Sequence, residues 1–360
     1  MKNFYALIMA GGIGSRFWPK SRTAYPKQFL DILGTGKTLI QQTYERFSKI
    51  LPEENIFIVT NDGYRDLVKE QLPGISDNQI LGEPVMRNTA PCIAYGCNKI
   101  HELNPEAAIV VAPSDHLILN ENAFIEAITK SLNTATKHDC LITLGIKPSR
   151  PDTGYGYIQF NTTVLEEEYY KVKTFTEKPN AELAMTFVQS GEFLWNAGIF
   201  VWSAKNILKA FERHLPEMSE TFKEGQHSYN TESERTFIQN AYYQCTNISI
   251  DYGIMEKADN VYVLPSDFGW SDLGTWASVY DLADKDYVGN VVIPSDSVIM
   301  YDSSNCMVNV PKEKLVILQG LHDYIVVDDH NALLICPRDQ EQSIKQIVAD
   351  IKQRYGSTYI

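Results

Sequence analysis

The segment Ala10-Gly11-Gly12-Ile13-Gly14-Ser15-Arg16 follows an apolar run, Tyr5–Ala10, and leads through Lys20-Ser21-Arg22 to Tyr25-Pro26-Lys27-Gln28. A glycine turn after a buried strand lets backbone N–H groups approach a phosphate. Residues 1–40 hold six basic residues (Lys2, Arg16, Lys20, Arg22, Lys27, Lys37) and one acidic residue, Asp31. The chain as a whole carries 32 Lys+Arg against 45 Asp+Glu, a net charge of −13, so this local reversal marks where a polyanion goes. Two better-known phosphate loops are excluded. The dinucleotide fingerprint would need a third glycine where Phe17 stands. Gly36-Lys37-Thr38 ends like a P-loop, but Asp31 occupies the position of that motif's first glycine, so it reads as a turn and helix start with Thr38 near the cap.

A second chemical station is Ala112-Pro113-Ser114-Asp115-His116, which closes a strand-like run. A carboxylate at the carboxyl end of such a strand is a natural metal ligand. His116 reads as a structural neighbour.

Gly11-Gly12-x-Gly14-x-Arg16-x-x-Pro19-x-Ser21, followed by Pro26-Lys27, resembles the signature of the sugar-1-phosphate nucleotidyltransferases. The Phe-Trp-Pro-Lys-Ser-Arg and Pro-Lys-Gln-Phe versions resemble those of the mannose-1-phosphate guanylyltransferases. The likeness extends over roughly residues 4–284. It implies transfer of GMP from GTP to α-D-mannose 1-phosphate, with Mg²⁺ as cofactor and pyrophosphate released. Ala10, Gly11, Gly12, Gly14, Arg16, Lys27 and Asp115 would bind the nucleotide. Gly82-Glu83-Pro84-x-x-Arg87-Asn88-Thr89 is similar to the segment facing the base: a carboxylate accepts from guanine N1–H and N2–H₂, and an amide donates to O6. Asn88 or Thr89 also stands where a helix cap would, and the two readings are compatible.

The resemblance assigns Thr153-Gly154-Tyr155-Gly156 to the sugar-facing turn, Glu177 to sugar hydroxyls, Lys178 to the sugar phosphate, and Asn196 to the sugar. Alone, Glu177-Lys178 would read as a surface ion pair. Asp115 and Asp272 match the family's two metal carboxylates. Asp251 reads either as a sugar-site residue or as the cap of a following helix. Catalytic roles fall to Arg16, Lys27, Asp115, Lys178 and Asp272. The sugar phosphate is already an anion and needs no general base, so catalysis would be positioning plus charge neutralisation. Two unit charges 4 Å apart at an effective dielectric near 20 interact by about 4 kcal/mol. That repulsion is what the cations must offset.

The elements that position these residues alternate. Strand-like runs at Tyr5–Ala10, Ile56–Thr60, Gln79–Leu81, Ala108–Ala112 and Leu141–Ile146 are separated by helix-period segments at Leu39–Ile50, Tyr64–Gln71, Ala90–Leu103 and Ala123–Lys137. This implies an α/β fold with a mostly parallel, Rossmann-like sheet covered by helices on both faces. Strands are also expected at Tyr155–Phe160, Lys171–Thr176 and Gly198–Trp202, with helices at Ala181–Gln189, Ala204–Arg213 and Glu232–Gln239. Short β-rich pieces from 285 to 360, closed by a helix at Gln340–Arg354, read as a small C-terminal domain of β-helix-like type. The expected domains are therefore 1–284 and 285–360. Residues 285–360 are too few for the isomerase domain that some related guanylyltransferases carry, so one activity is expected.

The acidic charge argues against nucleic acid and anionic membrane as partners. No apolar run reaches the roughly 18–20 residues of a membrane helix, and no signal peptide is read at Met1-Lys2-Asn3-Phe4, so a cytoplasmic protein is expected. The six cysteines form no Cys-x-x-Cys pair and read as reduced core thiols. A homodimer is left open. The competing functions are a relative using another sugar 1-phosphate, such as a heptose, or another base, and a non-catalytic nucleotide-sugar sensor on the same fold.

Overall fold

The computed structural model describes residues 2–166 and 168–360. The chain forms two compact units. The first is Met1–Gly11, Thr43–Ser114 and Ile118–Trp270; the second is Gly12–Gln42, Asp115–Leu117 and Ser271–Ile360.

The strands up to residue 271 are β1 (Phe4–Ala10), β2 (Ile56–Asn61), β3 (Ile80–Glu83), β4 (Ala108–Pro113), β5 (Leu117–Ile118), β6 (Leu141–Ile146), β7 (Gly156–Val164), β8 (Tyr170–Glu177), β9 (Phe193–Ser203), β10 (Val261–Ser266) and β11 (Trp270–Ser271). The helices are α1 (Leu39–Ser48), α2 (Arg65–Gln71), α3 (Thr89–Leu103), α4 (Glu121–Lys137), α5 (Ala181–Ser190), α6 (Ala204–His214), α7 (Pro216–Lys223) and α8 (Glu234–Gln244). Nine strands of the first unit form one sheet in the order β3-β2-β1-β4-β9-β6-β10-β8-β7. β1, β4 and β6 are apolar along nearly their whole length because both faces are covered.

The sheet is mixed, which corrects the expectation of a mostly parallel one. β1 pairs in parallel with β2 and β4, β2 with β3, and β6 with β10. β9 is antiparallel between β4 and β6, and β7 and β8 form an antiparallel hairpin. The sequence shows only Gly198–Trp202 of β9, because Asn196-Ala197-Gly198 breaks the apolar run. There Gly198 takes a φ of +67°, and the pairing with β6 shifts register between Thr143 and Gly145. The core packs Leu7, Val59, Ile93, Ile109 and Trp202 with α6–α8 residues such as Ile207, Phe222 and Ile238. α7 was not read from sequence, and α8 starts two residues later and runs five residues further than expected.

In the second unit, α9 (Trp276–Leu282) precedes β12 (Val291–Ile293), β13 (Val298–Tyr301), β14 (Met307–Asn309), β15 (Val316–Gln319), β16 (Tyr324–Asp329) and β17 (Ala332–Pro337), and α10 (Ile344–Tyr355) follows. β12, β14 and β16 stack in parallel, with Met307 aligned to Val291 on one side and Ile325 on the other. β13 and β15 form a second parallel pair. These parallel rungs are the stacked geometry of a β-helix-like domain. The core of this unit joins Phe17, Trp18, Leu30 and Ile32 to Trp276, Val291, Met307, Ile325 and Ile344. Compactness therefore does not divide at 284/285: the glycine-rich loop and α9 pack with the C-terminal strands. All six cysteines are free and buried. No helix among the described residues is long and apolar enough to cross a membrane.

Candidate active site

Lys27 is the centre of the second unit's polar cluster. It is 3% exposed, and its ammonium needs partners to remain there. Its Nζ lies 2.9 Å from Asp115 Oδ2 and donates to the Asp272 carbonyl at 2.7 Å. The same nitrogen stands 5.6 Å from the centroid of the Phe17 ring, which packs edge-on against Trp276. The backbone places Lys27 by two means. Its N–H donates to the Ile13 carbonyl at 3.1 Å, which also accepts from Ser21 Oγ. Gly14, at φ +72°, lies against its side chain. Burial pushes the Asp115 carboxyl up, and the charges of Lys27 and His116 more than reverse that, leaving it below its ordinary range.

Asp115 and Asp272 are thus linked through one lysine, by side chain and by backbone respectively. Were a metal ion bound here, the Asp115 and Asp272 carboxylates would offer it hard oxygen donors of the kind Mg²⁺ takes. Among the described residues no group of three or more potential ligands forms a cage by itself.

The other basic residues of the loop face the C-terminal strands and helix. Arg16 Nε donates to Gln342 Oε1 at 3.1 Å, and Lys20 Nζ donates to Asn309 Oδ1 at 2.7 Å. Arg22 donates to Asn331 Oδ1 at 2.8 Å and to the Asp329 carbonyl at 3.0 Å. Burial lowers the Lys20 pKa, partly opposed by Asp329 and Asp31. Lys20 and Arg22 are therefore framework residues. The six-to-one charge excess overstated the polyanion signal, because part of it is spent holding the loop.

In the first unit, Glu177, Lys178, Asn196 and Asp251 form one group. The Lys178 ammonium bonds Glu177 Oε1 at 2.5 Å, and Lys178 itself sits at φ +46° with its N–H on the Tyr155 carbonyl. Gly156 is paired with Glu177 across β7 and β8, and a Cβ on it would lie 2.4 Å from Glu177 Oε2. Gly154 N–H donates to Asp152 Oδ1 at 2.8 Å. Asn196 is fixed at both ends of its amide. Its Oδ1 accepts from Gly198 N–H at 3.1 Å and Thr143 Oγ1 at 3.2 Å, and its Nδ2 donates to Asp251 Oδ1 at 2.8 Å. Asp251 opens the turn Asp251–Met255, whose N-cap position is Ile250, so the sequence's capping alternative does not hold. Burial, and then the charge of Glu177, raise the Asp251 carboxyl to about 6 against the pull of Asn196 and Lys178.

The base-side candidates are also in the first unit. The Ala10 carbonyl accepts from Thr60 Oγ1 at 2.6 Å; in the second unit, a Cβ on Gly12 would meet open space. Glu83 is 5% exposed; Tyr242 Oη donates to its Oε1 at 3.0 Å, and its Oε2 would lie 4.0 Å from a Cβ on Gly11. Burial raises this carboxyl to about 7, only partly offset by the Tyr242 bond. Asn88 caps α3, accepting from Thr89 N–H at 2.9 Å, and Thr89 Oγ1 accepts from Ile250 N–H at 2.8 Å.

Residues 5–288 match the Nucleotidyl transferase family, and residues 296–351 match the MannoseP isomerase/GMP-like beta-helix domain. The chain belongs to the nucleotidyl transferase family. Within it, this nucleotidyltransferase is 36% identical over 358 residues to the mannose-1-phosphate guanylyltransferase of Klebsiella pneumoniae, covering 98% of this chain and 75% of that one. It is also 36% identical over 349 residues to the alginate biosynthesis protein AlgA of Pseudomonas aeruginosa, covering 96% of this chain and 71% of the relative. A crystal structure from Thermus thermophilus, described as a mannose-1-phosphate geranyltransferase, superposes with a TM-score of 0.87 at 31% identity, over 98% of this chain and all of the other. This nucleotidyltransferase is thus an enzyme of the mannose-1-phosphate guanylyltransferase group.

The nucleotidyltransferase distributes its sequence-named residues between the units. Gly12, Gly14, Arg16, Lys27, Asp115 and Asp272 fall in the second; Ala10, Gly11, Glu83, Asn88, Thr89, Gly154, Glu177, Lys178, Asn196 and Asp251 fall in the first. Sequence reasoning missed Tyr242, Thr143, Gln342 and Asn309. Tyr242 looks like one more aromatic on an apolar helix face, and it meets Glu83 across 159 positions, so no local pattern could have shown it.

Proposed function

We propose that this nucleotidyltransferase moves GMP from GTP to α-D-mannose 1-phosphate, releasing pyrophosphate and GDP-mannose. The observation that carries this reading is the near-full-length relationship to the Klebsiella pneumoniae mannose-1-phosphate guanylyltransferase. The geometry supports it. A phosphate oxygen of the sugar phosphate, already ionised, attacks the α-phosphorus of GTP. The bond from that phosphorus to the bridging oxygen of the β-phosphate breaks, and pyrophosphate carries the electron pair away. No proton need be removed, which fits a cluster built of cations and carboxylates rather than a nucleophile and base. Arg16 and Lys27 are assigned to the triphosphate. Lys178 is assigned to the sugar phosphate, Glu177 and Asn196 to sugar hydroxyls, and the Glu83 Oε2 side and Asn88 to the base. Gly11 and Gly12 admit the phosphates to the backbone. Asp115 and Asp272 would hold Mg²⁺, which when bound neutralises charge on the phosphate oxygens.

The test is pyrophosphate release over a matrix of nucleoside triphosphates and sugar 1-phosphates. Highest turnover is expected with GTP and mannose 1-phosphate. A higher rate with another base, or with another sugar 1-phosphate such as a heptose, would replace that half of the assignment. No turnover with any pair would leave a binding protein on an enzyme fold.

A further inference from the structure

The glycine-rich loop is held at alternate residues by the far end of the chain, within the second unit. Arg16 Nε donates to Gln342 Oε1 at 3.1 Å, Trp18 Nε1 to the Tyr359 carbonyl at 2.7 Å, and Lys20 Nζ to Asn309 Oδ1 at 2.7 Å. Arg22 reaches Asn331 and the Asp329 carbonyl. The five partners come from four separate places: β14, the end of β16 with the turn after it, the segment before α10, and the tail beyond it. A loop with glycines at 11, 12 and 14 has much backbone freedom to lose, roughly 1–2 kcal/mol per residue ordered. Residues 15–22 belong to no strand; their own order is a single short turn of helix at Ser15–Phe17, a few local backbone bonds and the Arg22–Tyr25 bridge, and the contacts from the C-terminal strands and helix add to it.

Asn309 adds an independent observation. It is fully buried, and its Nδ2 has no hydrogen-bond partner among the described residues. An unsatisfied buried amide is a cost, so the work of this side chain is done by the oxygen that receives Lys20.

We infer that Gln342 is a positioning residue of the nucleotide site, acting through Arg16. Gln342 takes the guanidinium by Nε, the donor on the stem side. That fixes the plane of the group and aims the paired Nη nitrogens, the edge that meets a phosphate bidentately. The C-terminal strands and helix then complete the triphosphate site rather than append to it. This rests on the reading that Arg16 meets the triphosphate.

The test uses the full chain in four variants: Gln342→Ala, Gln342→Glu, Arg16→Ala, and the double Arg16→Ala/Gln342→Ala. Gln342→Ala should lower kcat/KM for GTP about tenfold, the size of one lost hydrogen bond in the transition state. Calorimetric affinity for mannose 1-phosphate and Tm should stay at the parental values. Gln342→Glu keeps an acceptor oxygen at the same reach and should recover most of the loss. The double variant should be no worse than Arg16→Ala alone. If Arg16→Ala is itself fully active, the assignment of Arg16 to the triphosphate fails. If Arg16→Ala is impaired while Gln342→Ala equals the parent, that assignment stands and the positioning inference is overturned. An equal loss for both substrates with a lowered Tm, unrelieved by Gln342→Glu, would also overturn it, as plain loss of structure.

Discussion

Gly14 and Lys27 touch so closely that no side chain fits between them: a Cβ on Gly14 would stand 2.4 Å from Lys27 Cβ. The glycine is also at φ +72°, where an L-residue costs roughly 1–2 kcal/mol. Gly14→Ala should therefore push Lys27 off Asp115 and the Asp272 carbonyl. The expected result is a fall in kcat/KM of at least about 100-fold, more than the drop in Tm would account for. Parental kcat/KM in a folded Gly14→Ala protein would show that the loop does not set the lysine.

Arg16→Ala should cut kcat/KM by at least about 100-fold, or about 2.7 kcal/mol of transition-state stabilisation. Circular dichroism should show the fold intact, because Trp18, Lys20 and Arg22 keep their own anchors in the second unit. Near-normal turnover would remove Arg16 from the mechanism.

Glu177→Gln should act on the sugar side. Glu177 receives Lys178 and stands over Gly156, in a group that includes Asn196 and Asp251. The variant should lose turnover or affinity for mannose 1-phosphate, with GTP affinity nearly unchanged. Calorimetry that finds the main loss in GTP binding would place Glu177 with the wrong substrate.

How much of this was legible follows from range. β1, β2, β4 and β6 were readable because each is a short, continuous apolar run covered on both faces. β9 was half-visible, since Asn196 and Gly198 interrupt it to hold Asp251 and turn the backbone. Asp115 stood out as a candidate because ligands bind beyond the carboxyl ends of strands in such sheets, and the structure brings it to Lys27. Lys20 and Arg22 misled, because a charge count does not say what each charge faces. Asn309 lies 289 positions from Lys20, and Gln342 lies 326 from Arg16. Nothing local in either sequence window announces its partner.

Glu83 gives the stability a pH dependence whose sign can be worked out. Its carboxyl rises from 4.5 to about 7 on folding, with burial as the leading cause. The folded state therefore keeps a proton that the unfolded chain has lost across that window. This contribution is fully present below about pH 4.5 and is lost as pH rises through 7, amounting to about 3 kcal/mol at most. Glu83→Gln preserves an acceptor for Tyr242 and removes the titration. Urea unfolding from pH 5 to 8 should show a shallower decline in the variant than in the parent. Equal slopes would mean that Glu83 does not titrate in this window.

The two aspartates call for different probes. Asp115→Asn is a poor one by itself, because it also removes the charge facing the buried Lys27 ammonium, 2.9 Å away. Asp272→Asn is cleaner. Lys27 bonds the backbone carbonyl of Asp272, which the substitution leaves in place. Asp272 Oδ1 accepts from Gly274 N–H at 3.0 Å, and an asparagine oxygen can keep that bond. The change therefore removes one negative charge while keeping both of these bonds. If that charge is a ligand to Mg²⁺, at oxygen–metal distances of about 2.1 Å, a neutral amide should weaken it. Asp272→Asn should need much more Mg²⁺ for half-maximal activity and turn over slowly even when saturated, while its Tm in the absence of metal equals the parent's. The Asp115→Asn/Asp272→Asn double variant should be little worse than the weaker single one, since residues that act as a unit are not additive. Full activity of Asp272→Asn at the parental Mg²⁺ requirement would end the two-aspartate proposal and leave Lys27 and Asp115 as the working pair.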